Sequence, residues 1–246
     1  MKEEKWILIL GSNSDIAKAC AKKFASKNYN IYLASRNIKK CSEIAIDLEI
    51  RYNIKTSYAK FDAEDFSSHK AFFGSLKFFP DVTLLAFGTM LNQNDSEKDF
   101  KYSQKMINVN FSGVVSAIEN LISETIPYKK GTIVLIGSVA GDRGKKSNYI
   151  YGATKSAVET YFEGVSHRLY KTGLKTILVK PGYVRTKMTL NMDLPTFLTA
   201  SPSEVALKIF EAVKKEKEII YVKNIWRIIM FVIRLIPRSI FNKTSL

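Results

Sequence analysis

A hydroxyl, a phenol and an ammonium are spaced along this chain in the pattern that carbonyl reduction would use. Ser138 follows the apolar run Thr132 to Ile136 and Gly137; Tyr151 comes thirteen residues later, and Lys155 four after that. Residues four apart on a helix lie one turn apart on one face, and Ser138, at a strand end, reaches that face from the sheet. Reduction needs a proton at the oxygen while hydride arrives at the carbon. A tyrosine supplies it if its pKa falls from about 10 towards neutrality, and a nearby ammonium and a nicotinamide charge act in that direction. A fall of ~3 pH units asks for ~4 kcal/mol of differential stabilisation. Ser138 would hydrogen-bond and orient the substrate oxygen. Singly, each residue has a bland reading, because Tyr and Lys four apart on a helix are common. All three after one strand, downstream of a glycine turn, are much harder to obtain by accident.

The elements that must position them alternate strand and helix. Trp6 to Leu10, Tyr29 to Ser35, Thr56 to Phe61, Val82 to Phe87, Thr132 to Ile136 and Lys175 to Val179 read as strands. Helical patterns run from about Asp15 to Ser26, Lys39 to Tyr52, Phe100 to Thr125 and Tyr151 to Lys171. Such alternation predicts an α/β fold, a doubly wound parallel sheet of Rossmann-like type in a single domain. Ligands in these sheets bind outside the carboxyl ends of the strands, where the chemistry-bearing residues fall.

Gly11 closes the first strand, and Ser12, Asn13, Ser14, Asp15, Ile16 and Ala17 lead into the first helix. A tight turn at a helix N-terminus presents backbone N–H groups that hold a pyrophosphate, although a lone glycine there is more often simply a turn. The second strand ends Ser35-Arg36-Asn37 with no acid. An acid at this point binds the ribose of NAD, whereas a hydroxyl and an arginine suit the 2′-phosphate of NADP; the alternative is a surface arginine. The expected cofactor is therefore NADP(H) ahead of NAD(H). Asp62 and Ala63, after the third strand, are placed to meet the adenine.

With 246 residues, 46% hydrophobic and 25% charged, the chain has the size and composition of one soluble domain. Cys20 and Cys41 form no metal or disulfide pattern, so no metal is expected and reduced, cytoplasmic thiols are. No apolar signal region opens the chain. The net charge of +15 is open to nucleic acid, a membrane surface, an anionic substrate or plain solvation; no nucleic-acid-binding motif accompanies it. Residues 221–246, set apart from a domain spanning 1–220, carry Lys223, Arg227, Arg234, Arg238 and Lys243 and no acid. The apolar run Ile225 to Ile236, broken by Arg227 and Arg234, is too short for a bilayer span of about 20 residues. It fits either a membrane surface or a helix docked on the protein or a partner.

From Lys5 to about Val213 these residues resemble the short-chain dehydrogenase/reductase family, whose Tyr-x-x-x-Lys signature stands as Tyr151-Gly152-Ala153-Thr154-Lys155. The resemblance implies that Ser138 is the catalytic serine and that Asn110, in Val109-Asn110-Phe111-Ser112-Gly113, helps hold a water linking the lysine to solvent. It also places Ala86, Phe87, Gly88, Pro181, Gly182, Val184 and Thr186 against the cofactor, with Thr186 on the nicotinamide carboxamide. Homodimers or homotetramers are the usual assembly. Two segments depart from the pattern: Asp15 and Ala17 replace two glycines of the first turn, and Leu85-Ala86-Phe87-Gly88 replaces Asn-Asn-Ala-Gly. Asp15 would repel a pyrophosphate unless it points away. Ser138 to Arg143, Pro181 to Thr189 and Arg234 to Phe241 are similar to a narrower group, the decaprenylphosphoryl-2-keto-ribose reductases and their bacterial relatives. That similarity implies a keto-sugar on a polyprenyl phosphate, cell-envelope glycan synthesis, a flavin oxidase partner and a place on the inner membrane face. A reductase of a small or carrier-bound ketone, and a non-enzymatic NADP-binding sensor, are the alternatives.

Overall fold

Successive apolar runs take their places in one parallel sheet, and the polar residues that end them gather along one edge. The computed structural model describes residues 4–190 and 192–244. In chain order the strands are β1 (Lys5–Leu10), β2 (Tyr29–Ser35), β3 (Thr56–Lys60), β4 (Val82–Leu85), β5 (Thr132–Ile136), β6 (Lys175–Pro181), β7 (Tyr183–Val184), β8 (Thr199–Ala200) and β9 (Ile219–Val222). The helices are α1 (Asp15–Ala25), α2 (Ile38–Tyr52), α3 (Phe66–Gly74), α4 (Gln93–Lys98), α5 (Phe100–Ile107), α6 (Gly113–Thr125), α7 (Tyr149–Leu169), α8 (Pro202–Lys214), α9 (Ile225–Leu235) and α10 (Arg238–Phe241).

The main sheet has seven strands in the order β3-β2-β1-β4-β5-β6-β9, parallel throughout. Side chains alternate across a strand, and here both faces are covered, which is why β1 is apolar without interruption. Ile7 and Ile9 join Ala21, Phe24, Leu33 and Ile209 in one layer. Leu8 and Leu10 join Phe73, Ile118, Leu121 and Phe162 in the other. The strand order reverses between β1 and β4, whose last residues Leu10 and Leu85 are in register. A crevice opens beyond their carboxyl ends.

Three expectations are revised. The helix expected from Phe100 to Thr125 is interrupted: α5 stops at Ile107, a π-helical turn spans Asn108–Ser112, and α6 starts at Gly113. A Cβ at Gly113 would lie 2.3 Å from the Ala63 carbonyl oxygen, so only glycine lets α6 press this close to the loop after β3. The helix expected to open at Tyr151 begins at Tyr149 and ends at Leu169, because Asn148 leads straight into its first turn. A seventh strand, β9, extends the sheet beside β6, and the division drawn at residue 220 falls inside it. In the residues that follow, α9 buries Trp226, Met230 and Ile233 against Val139. Asn191, in the loop from Met188 to Ser201 that the sequence suggests as the cover of the substrate, and residues 245–246 of the basic end lie outside the described residues. Among the described residues no helix is long and apolar enough to cross a membrane.

Candidate active site

A cavity of about 420 Å³ lies beyond the carboxyl ends of β1, β4, β5 and β6. Ser14, Asp15, Ile16, Ala86, Phe87 and Gly88 line one side. Ser138, Tyr151, Lys155, Pro181, Gly182, Val184 and Thr186 line the other. The structure thus brings together the three residues read as chemical and the residues expected around the nicotinamide and pyrophosphate.

Ser138 is held from behind. Its N–H donates to Glu159 Oε1 at 2.9 Å, and its Oγ accepts from Ala140 N at 3.1 Å. Glu159 is two turns beyond Tyr151 on the same face of α7, so helix geometry aligns Tyr151, Lys155 and Glu159 in one row. The Glu159 carboxylate pairs with Lys180 Nζ at 2.7 Å; Lys180 also pairs with Asp142, which accepts from the Tyr221 hydroxyl at 3.2 Å. Gly137 and Gly141 make room for this buried cluster, since a Cβ on either would come within 3.0 Å of the carboxylate. Burial pushes the Glu159 carboxyl above its usual range, opposed chiefly by Lys180. Burial alone would depress Lys180, yet Glu159 and Asp142 hold it raised.

Lys155 is buried and donates to the Ile136 carbonyl at 3.0 Å, its Nζ 5.8 Å from the centre of the Tyr151 ring. Burial lowers its pKa to about 8, against the opposing charge of Glu159. The expectation that Tyr151 is depressed is not met in the chain alone. Burial pushes its phenol up to about 12; the Ser138 hydroxyl pulls it down, and Glu159 adds to the rise. Desolvation of the phenolate outweighs the Ser138 hydrogen bond. Tyr149 lies outside this arrangement, exposed, with its hydroxyl donating to Glu97 Oε1 at 3.2 Å.

Asn110 does not line the cavity. From the π turn its Oδ1 accepts from Thr89 N at 2.8 Å, and its Nδ2 donates to Thr89 O at 2.8 Å and Thr154 Oγ1 at 3.1 Å. The side chain is fully engaged in tying the segment after β4 to α7. π turns recur at functional sites because the extra residue re-aims a side chain.

At the cofactor end, Gly11 has φ +79°, and a Cβ there would lie 2.6 Å from Phe87 N; glycine is required twice over. Ser14 caps α1 by accepting from Ala17 N at 3.2 Å. Asp15 accepts from the Lys187 N–H at 2.9 Å, which ties the covering loop to the α1 N-terminus. Ser12 and Ser35 are buried, each with its Oγ near Cys41 Sγ, at 3.3 and 3.2 Å. Ser35 also accepts from Asn13 Nδ2 at 2.5 Å. The Ser35 hydroxyl, read as a phosphate ligand, makes internal contacts at the end of β2. Arg36 is exposed, and Asn37 caps α2. Asp62 accepts from Glu64 N at 3.1 Å, while Ala63 is buried under α6. These residues stand outside the cavity, at the β2 and β3 ends of the same sheet edge.

The residues present fit a dinucleotide. Asn13 Oδ1 is buried and is the side-chain acceptor without a hydrogen-bond partner among the described residues. It sits between the α1 N-terminus and the end of β2, where a ribose hydroxyl would satisfy it. Lys18 is lowered by burial and then by neighbouring Lys40 and Lys187, a concentration of cations that suits phosphates. Sequence reasoning missed Asn13, Lys18, Lys40 and Lys187 as cofactor candidates, and Lys145 and Trp226 as cavity walls. No local motif marks them; they converge only through the fold.

A parallel sheet with a dinucleotide crevice and a Ser-Tyr-Lys row beside it defines an oxidoreductase linked to a nicotinamide cofactor. The short chain dehydrogenase family model matches residues 5–194, and the chain belongs to that family. Its relatives include an uncharacterized oxidoreductase of Mycobacterium tuberculosis, 28% identical over 240 residues and 96% of each chain. An uncharacterized oxidoreductase of Streptomyces coelicolor is 29% identical, covering 96% of this chain and 94% of the relative. Among solved structures, a short-chain dehydrogenase from Sphingobium yanoikuyae in complex with NADPH superposes with TM-score 0.80 at 18% identity, covering 96% and 97% of the two chains. A Burkholderia phymatum family member in complex with NAD gives 0.82 at 20%, covering 93% and 92%.

Proposed function

We propose that the protein reduces a keto-sugar carried on a polyprenyl phosphate, with NADPH as reductant, at the cytoplasmic face of a membrane and in the synthesis of cell-envelope glycan. The observation that carries the reductase reading is the convergence of Ser138, Tyr151 and Lys155 on one cavity. Gly11, Ser14, Ile16, Gly88, Lys155 and Thr186 would hold the dinucleotide, with exposed Arg36 at its 2′-phosphate. When bound, that group would supply hydride to the carbonyl carbon, its ring becoming cationic as the hydride leaves.

Ser138 donates a hydrogen bond to the substrate oxygen and fixes its position. Tyr151 gives its proton to that oxygen, so the carbonyl becomes an alcohol and the phenol a phenolate. Lys155 holds charge beside the phenolate, and a proton from solvent restores the phenol through water ordered near Asn110.

An anionic substrate is favoured by the cavity lining. Lys145, lowered by burial, faces the same space and has no acidic partner among the described residues. Met90, Met188, Met192 and Trp226 form apolar walls suited to a prenyl chain. A flavin oxidase would supply the ketone in the cell.

The test is NADPH consumption with three substrates: a short-chain prenyl-phosphoryl 2-keto-pentofuranose, the unlinked keto-sugar and a small ketone. The reading expects the lipid-phosphate substrate to lead in kcat/KM by at least about tenfold, the worth of one charge-assisted contact to Lys145. Equal use of the small ketone would favour the broader reductase reading.

A further inference from the structure

One face of α9 is docked and the opposite face is bare. At roughly 100° per residue, the buried Trp226, Met230 and Ile233 share one side of the helix. Ile225, Ile228, Phe231, Val232 and Leu235 fill an arc of about 120° on another; Ile228, Phe231 and Leu235 are 66%, 65% and 66% exposed. A large apolar arc turned to water calls for a partner.

The start of the helix adjoins the lip of the cavity. Trp226 Nε1 donates to the Leu198 carbonyl at 3.0 Å, and Lys223 Nζ donates to the Phe197 carbonyl at 3.1 Å. The loop carrying exposed Phe197 is therefore fastened beside the start of α9. The same loop exposes Met188, Leu190 and Met192, and Met188, Met192 and Trp226 line the cavity. Arg143 locks the other end of the helix, donating to the Ile236 carbonyl at 2.7 Å and to the Ile233 carbonyl, with its guanidinium 3.8 Å from the Phe241 ring centre. Both ends of α9 are thus fastened to the fold, with its bare arc turned to solvent.

Charge selects the partner. Exposed Arg227 and Arg234 flank the arc, Arg238 and Lys243 follow, and residues 221–246 hold no acid. A second copy meeting this face across a two-fold axis would bring arginine against arginine with no acid in the segment to neutralise them. Anionic headgroups match both the apolar arc and its cationic flank.

We propose that the outer face of α9, with the exposed Met188, Leu190, Met192 and Phe197 of the lip, docks on an anionic lipid surface, so that the cavity opens towards the bilayer. The proposal rests on the lipid-linked reading only for its purpose. Docking itself needs no substrate.

The test is flotation of the full chain with vesicles of phosphatidylglycerol and phosphatidylcholine, and with phosphatidylcholine alone. Gel filtration is run at the same protein concentrations. The variant Ile228→Glu, Phe231→Glu, Leu235→Glu leaves the docked face and the cavity untouched. Wild type is expected to float with the anionic vesicles only. The variant should partition at least about tenfold more weakly while reducing a water-soluble ketone at the wild-type rate. Failure of wild type to float, or equal flotation of the variant, overturns docking. A wild-type dimer that the variant splits, without vesicle binding, overturns it in favour of a second copy. Flotation together with a preference for unlinked keto-sugar would reject the lipid-linked substrate and leave docking standing.

Discussion

Lys155→Met is expected to stabilise the cofactor-free protein at neutral pH while removing its activity. Lys155 is 6% exposed, has no carboxylate within ion-pair distance among the described residues, and makes one hydrogen bond, to Ile136 O at 3.0 Å. Burial moves its pKa from 10.5 to about 8. The gap corresponds to about 3 kcal/mol of unfavourable charging in the folded state. Losing the hydrogen bond returns about 1 kcal/mol, for a net gain of roughly 2 kcal/mol, or a Tm increase of about 4–8 °C at this chain length. Because the folded pKa lies below the unfolded one, the penalty is complete below pH 8, where the lysine is charged in both states. It fades as pH rises from about 8 to 10.5, since only the folded lysine has then lost its proton. Thermal unfolding of wild type and variant at pH 7 and pH 10 reads this directly. A large difference at pH 7 that closes by pH 10 supports the account. A variant less stable at pH 7, or a difference independent of pH, would refute it.

Glu159→Gln keeps an acceptor for the Ser138 N–H but loses the Lys180 pair. It should cost about 1–3 kcal/mol of stability and lower kcat with little change in the KM for NADPH; Glu159→Leu, which strands the N–H and half of the buried pair, should cost about 3–5 kcal/mol. Removing the Glu159 charge also favours phenolate, so the alkaline limb of the reduction profile should move to lower pH in Glu159→Gln; an unmoved limb would exclude Glu159 from setting the Tyr151 proton. Asp15→Asn should tighten NADPH by roughly two- to fivefold, the worth of a charge at a helix N-terminus, as read by cofactor fluorescence titration. Arg36→Asp should shift preference from NADPH to NADH by at least about tenfold; an unchanged ratio of kcat/KM values would show that Arg36 does not read the phosphate.

The sheet was legible because most of its strands are apolar runs bounded by turn residues, and the Ser138, Tyr151 and Lys155 row because helix periodicity fixes which side chains share a face. β9 escaped because Ile219–Val222 sits between charged neighbours, Lys217-Glu218 and Lys223, and includes a half-buried tyrosine, so it does not stand out as an apolar run. The π turn is invisible to periodicity because an apolar pattern continues through it; what placed Asn110 was family resemblance. The contact of Ser35 with Cys41, which reaches it from α2, is not legible from a hydroxyl at a strand end. The Tyr151 phenol was expected to fall because the ammonium was counted and the desolvation was not. The C-terminal run posed a choice between self-docking and a membrane; the helix has two apolar arcs, one of them buried, and only coordinates separate them.

The central claim is that the Tyr151 hydroxyl delivers the proton to the substrate oxygen. Tyr151→Phe keeps the ring and its packing and deletes only that group. Paired measurement of NADPH affinity and of turnover isolates the step: the account predicts an unchanged NADPH Kd with turnover down by about 10²-fold or more. A variant that binds NADPH normally and still turns over at near the wild-type rate would contradict it.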